Sequence, residues 1–157
     1  MASIDIGTAA IVRGSFITTN QTVIAVSNPA NASGKITSVE IYAETSMTNV
    51  KVATFYVKPT YIFTTRDYQY LGNVAEGAKR TFTVDLDVVI GDYIGIYYNA
   101  GNMYRDTTGS GYWSITEDYI PCTDVYMDKL DSKTISLYGT GATPTAGGNS
   151  IFMGCNF

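Results

Sequence analysis

Residues 80–99 read RTFTVDLDVVIGDYIGIYYN, and this stretch decides the fold class. Phe82, Val84, Leu86 and Val88 share one phase, while Thr81, Thr83, Asp85 and Asp87 share the other. Such period-two alternation is the mark of a strand with one face in a core and one in water. Gly91-Asp92 breaks the run. Tyr93-Ile94-Gly95-Ile96-Tyr97-Tyr98 then opens a second strand rich in β-formers, so the pair predicts a hairpin. Burying the apolar side chains of the first strand is worth roughly 1.5–3 kcal/mol each. A slip of one residue would exchange them for threonines and aspartates, so register is well determined.

The same reading extends outward. Residues 22–26 (TVIAV) form a β-branched run, and 28–34 (NPANASG) are turn chemistry. Residues 35–44 predict a strand with Val39, Ile41 and Ala43 inward and Ile36 on the opposite phase. Residues 49–58 (NVKVATFYVK) switch phase between Val50/Val52 and Ala53/Phe55/Val57, which predicts a bulge near Ala53-Thr54 or burial on both faces. Pro59 ends that run. Residues 9–12, 61–63, 65–71, 103–106, 112–116, 134–138 and 150–155 read as further short strands. Residues 125–130 suit a strand or one helical turn, and 139–149 a long loop. No segment carries sustained helical periodicity. About nine to eleven short strands imply an all-β, two-sheet antiparallel sandwich, jelly-roll-like in its crossing connections. Residues 1–157 make a single domain, with 1–14 and 150–157 as candidates for strand exchange with a neighbouring subunit.

Composition narrows the function classes. Charged residues are only 15% of the chain, while tyrosine occurs 13 times. Net charge is −4 and the ten basic residues are scattered, which excludes the clustered Lys/Arg footprint of a nucleic-acid binder. The chain has no histidine, which removes Ser-His-Asp and Cys-His nucleophile pairs and His-ligated zinc sites together. No cofactor motif is present: Gly139-Thr140-Gly141 and Gly147-Gly148 lack the following Lys-Ser/Thr of a phosphate loop. No stretch has the form of a signal peptide or a membrane span. Cys122 and Cys155 sit in short apolar settings and read as buried free thiols, with a disulfide between them left open.

The candidate ligand-binding residues are Tyr104, Arg105, Asp106, Tyr112 and Trp113, on two predicted strands around the loop 107–111. An aromatic ring face flanked by Asp and Arg is what sugar binding needs. The competing reading is that Trp113, the only tryptophan, fills a core. Asp85, Asp87 and Asp92 surround the turn and read as carboxylates facing water; Asp124, Asp128 and Asp131 lack the spacing of a calcium loop, so no metal site is expected.

Residues 28–44 (NPANASGKITSVEIYAE), 52–67 with ATFYV and TTRD, 82–97 with Gly91-Asp92-Tyr93-Ile94-Gly95-Ile96, Ile120-Pro121-Cys122 and 135–141 (ISLYGTG) together resemble small β-sandwich proteins of bacteriophage and prophage structural gene sets. That resemblance covers most of the chain and brings no catalytic motif. It implies a non-enzymatic virion protein (head decoration, head fibre or tail-associated module) at the virion surface or outside the cell. Its partners would be copies of itself and a larger protein lattice such as a capsid or tail, with no nucleic acid and no membrane insertion. The alternative is a carbohydrate- or receptor-binding module built around Trp113, with a surface glycan as partner.

Overall fold

The computed structural model describes residues 2–18 and 20–144. The strands are β1 (Ser3–Thr8), β2 (Ser15–Ile17), β3 (Gln21–Ala25), β4 (Gly34–Lys58), β5 (Ile62–Val74), β6 (Lys79–Val88), β7 (Tyr93–Tyr98), β8 (Ala100–Asp106), β9 (Tyr112–Thr116), β10 (Val125–Tyr126), β11 (Asp128–Leu130), β12 (Thr134–Ile135) and β13 (Leu137–Ala142). The described residues contain no helix, hence none able to cross a membrane. Three expectations shift. The N-terminal strand lies at β1 rather than at 9–12, β13 runs on into the expected loop, and 125–130 form two short strands. The strand expected at 150–155 and Cys155 lie outside the described residues.

The main difference from expectation concerns β4, which joins the two strands predicted at 35–44 and 49–58 into one of 25 residues. Its first half pairs with β13 and β6, its middle with β8, and its second half with β5 and β7, all antiparallel. Residues 80–99 are therefore not a hairpin. β6 and β7 do not pair with each other; both pair with β4, at opposite ends. Val88 faces Gly34 and Tyr93 faces Phe55, so residues 89–92 bridge two points on β4. Those points would be roughly 70 Å apart on a straight strand, at about 3.3 Å per residue. β4 must bend double, and its register breaks, clustered between Ala43 and Lys51, mark where it does so. Thr54, fully buried, closes the fold by donating to the Asp87 carbonyl at 2.7 Å.

All thirteen strands thus belong to one continuous antiparallel sheet that folds over itself without closing into a barrel, giving a sandwich-like body. One layer runs β1-β13-β4-β6. The other runs β5-β4-β7-β3-β9-β11. The main core between them holds Ile4, Ile6, Ile36, Val39, Ile41, Val52, Leu86, Ile94 and Ile96. Ile36 joins it despite its phase, because the register shifts by one between Ile36 and Ser38 against β6. Val84, Leu86 and Val88 are buried as the alternation predicts, while Asp85 and Asp87 face water and share Lys35 at 3.0 and 2.7 Å.

The second layer is buried on both faces, which accounts for the phase switch in β4. Val52 points to the main core, and Ala53 and Phe55 point to a second one with Ile24, Phe63, Tyr97, Trp113, Ile120 and Met127. A register break also falls between Thr54 and Phe55, and it leaves Arg66 unpaired on β5. Residues 117–127 cover this outer face. Threonines on the sheet hold them: Thr22 binds the Glu117 carbonyl and the Tyr119 N–H, Thr65 the Cys122 N–H, and Thr64 the Asp124 N–H. Threonine suits both tasks, since its branched side chain fits a strand and its hydroxyl reaches a passing backbone. Cys122 is half-buried beside Thr65, and burial pushes its thiol pKa up. Gly95 makes room for the second core: a Cβ there would lie 2.6 Å from the Phe55 ring and 2.8 Å from the Val23 carbonyl.

Both edges of the first layer are closed by side chains. On β1, Asn31 accepts from Asp5 N–H and donates to the Ser3 carbonyl, while Asn28 serves both backbone groups of Gly7. On β6, Gln69 serves the Thr83 carbonyl and Asp85 N–H, and Asp67 accepts from Asp87 N–H. The crossover 89–92 is pinned by Asp92. Against the solvated reading, this aspartate is 2% exposed; its carboxylate takes a forked contact from Arg66, with one bond at 3.0 Å, and accepts from Val89 N–H. Arg66 also lies over the Tyr56 ring, 4.8 Å from its centroid.

Two stability outcomes follow, both readable from urea unfolding. Asp92→Ala leaves a partly buried guanidinium without its partner and is expected to cost about 3–5 kcal/mol. A cost under 1 kcal/mol would show that the crossover does not depend on the pair. Gly95→Ala overpacks the second core and is expected to cost about 1–3 kcal/mol; no loss would mean that the Phe55 ring moves freely.

Candidate functional site

The residues expected to bind ligand do not come together as one site. β8 and β9 do not pair with each other, so the loop 107–111 separates their residues instead of joining them. Tyr104 packs edge-on against Tyr42, with centroids 5.4 Å apart. Arg105 donates Nε to the Phe16 carbonyl at 3.0 Å. Asp106 holds Arg13 at 2.6 Å; Arg13 is itself nearly buried and also binds Ser136 Oγ and the Ala9 carbonyl. Tyr112 sits in the main core, where burial raises its hydroxyl pKa and the nearby Arg105 opposes this. Trp113, its neighbour in sequence, points to the other face and enters the second core at 5% exposure.

Trp113 nevertheless borders a concavity. A pocket of about 330 Å³ opens where β4 and β5 turn over, lined by Val57, Lys58, Pro59, Thr60, Tyr61, Tyr93 and Trp113. Register builds it. Ile24 faces Trp113 across β3–β9, Phe55 faces Tyr93 across β4–β7, and Lys129 faces Trp113 across β9–β11. The rings of Tyr61 and Tyr93 stand 5.7 and 4.9 Å from Trp113 at interplanar angles of 55° and 76°, with Phe63 behind at 4.9 Å. They form a cup of inclined faces. Tyr61 has a positive φ of 61°, a conformation that a bulky residue adopts only when its surroundings impose it. Its carbonyl accepts from Met127 N–H, which ties the rim to the covering segment.

Lys58 reaches Asp124 at 2.9 Å and Lys129 reaches Asp131 at 2.9 Å, so each rim cation has a carboxylate that raises its pKa. The Trp113 indole N–H is buried with no acceptor among the described residues. The hydroxyls of Thr60, Tyr61 and Tyr93 likewise have no partner among them. Sequence reasoning missed Tyr61 and Tyr93. The available signal was that each begins or precedes a strand beside a turn, Pro59-Thr60 and Gly91-Asp92 respectively, but nothing local says that the two turns share an end.

Asp106 has a structural task with a pH signature. The Arg13 guanidinium, helped by Gly14 N–H, holds its carboxyl below the ordinary carboxylate value. Its stabilising contribution is full above that ordinary value and is lost as pH falls through the lowered one. Asp106→Asn is expected to lower stability at neutral pH and to flatten the acid limb of the stability profile; an unchanged acid limb would mean that the pair contributes nothing.

No family model matches this chain, and no curated protein matches it.

Proposed function

We propose that this chain is a non-enzymatic structural module of a virion-like particle, which acts by seating on a larger protein lattice and on copies of itself. The observation that carries this reading is the set of aromatic and apolar side chains left in solvent on a weakly charged surface. Tyr68 and Tyr70 lie 46% and 58% exposed on β5, and Phe16 lies 41% exposed on β2. Tyrosine offers large contact area at small rotamer cost and is enriched where proteins meet. The partly closed edges of the first layer favour contact through such faces over strand addition there, since Asp5 and Gly7 on β1 and Thr83, Asp85 and Asp87 on β6 already engage edge-facing backbone groups.

A second reading, a carbohydrate- or receptor-binding module, is favoured by the aromatic pocket at Trp113. It is compatible with the first, because a surface module of a particle can carry a ligand site.

The test of the first reading is light scattering across a concentration series, with co-sedimentation on capsids or fibres. The wild-type chain is expected to associate, and Tyr68→Ser with Tyr70→Ser to reverse it, at about 2 kcal/mol for each hot-spot tyrosine. A wild-type chain that stays monomeric and leaves every particle untouched overturns the reading.

A further inference from the structure

The pocket at Tyr61, Tyr93 and Trp113 combines features that together select a ligand class. Its walls are aromatic rings and the aliphatic side chains of Val57 and Pro59, so the occupant presents apolar faces. Its volume of about 330 Å³ is at the lower limit for small-ligand sites, which suits one ring better than an extended chain. Around those walls sit Thr60, Tyr61 and Tyr93, whose hydroxyls have no partner among the described residues. An occupant with oxygen atoms around an apolar ring face would suit both the walls and these hydroxyls.

We propose that this pocket binds a single pyranose ring of a glycan, with Tyr61 and Tyr93 flanking the ring, Trp113 as the floor, and Thr60 and Lys58 at the rim. The inference rests on the receptor-binding reading and is independent of lattice assembly. It also moves the site away from Tyr104, Arg105, Asp106 and Tyr112. Those residues have work inside the fold: Tyr104 against Tyr42, Arg105 on the Phe16 carbonyl, Asp106 on Arg13, and Tyr112 in the main core. A quaternary ammonium ion is the other small ligand that aromatic cups accept. It is disfavoured because such an ion accepts no hydrogen bond from the hydroxyls of Thr60, Tyr61 and Tyr93 around the cup.

Trp113 is the only tryptophan, so its emission reports this one site. The probes are methyl glycosides of glucose, galactose, mannose, N-acetylglucosamine and glucuronic acid, with choline as the cationic control. The expected result is a saturable change in emission with at least one glycoside and none with choline. Tyr93→Phe, which keeps the ring and removes the hydroxyl, is expected to weaken that binding about 2- to 10-fold, the usual share of one neutral hydrogen bond. The same variant should leave self-association unchanged, so failure of this site and failure of the assembly reading are separate results. No response to any glycoside overturns the proposal, as does a response to choline alone. A glycoside response indifferent to both Tyr93→Phe and Thr60→Ala also overturns it, by putting the sugar elsewhere.

Discussion

Everything in this fold depends on β4 bending double. A 25-residue strand running straight would have no partner for either face, and its two halves would belong to different molecules or to none. Bent, it serves as a central strand in both layers and sets the distance between them. The crossover 89–92 makes the bend obligatory, since β6 and β7 must each find their own end of β4. Hydrogen bonding at that point is dense. Thr54 reaches the Asp87 carbonyl, Arg66 holds Asp92, and Ala30 exchanges backbone bonds with Gly91 and Asp92. A buried carboxylate is tolerable here because a guanidinium and a backbone N–H both face it.

The same economy of polar groups explains the low charge of the chain. Asparagine, glutamine and threonine carry a donor or an acceptor on a short side chain, and some carry both. Asn28 and Asn31 on one side and Gln69 on the other act as fragments of a missing strand, closing edges that would otherwise stay open to pairing. Thr22, Thr64 and Thr65 act likewise on the outer face, where they fasten a covering segment with little secondary structure of its own. Lysine and arginine are not needed for these tasks; the partly buried Arg13 and Arg66 are each tied to one aspartate, while Arg105 binds the Phe16 carbonyl.

What could be read from the sequence follows from the range of the interactions involved. The alternation at Phe82–Val88 is local, and Val84, Leu86 and Val88 are buried as it requires. The hairpin expected at Gly91-Asp92 failed because a turn signal specifies a reversal of the chain and not the partner that follows it. The phase switch at Ala53 was legible as an irregularity, and both of its usual causes operate: the layer is buried on both faces, and the register breaks beside Thr54. The placement of the candidate site residues was illegible for a related reason. Tyr112 and Trp113 are adjacent in sequence, and adjacency on a strand sends two side chains to opposite faces. Trp113, Tyr61 and Tyr93 meet through long-range registers, on which sequence neighbours carry no information.

The position of the pocket follows from how the second core is built. Gly95 and Ala53 leave the middle of the outer face low, and the rings of Phe55, Phe63 and Trp113 fill the hollow. The covering segment 117–127 lies over that stack, and Met127 N–H on the Tyr61 carbonyl fastens it to the rim. Beyond the rim the stack continues, through Trp113 to Tyr93 and Tyr61, with nothing above it among the described residues. An aromatic core that ends in an open cup has its last rings half in solvent and their hydroxyls unengaged.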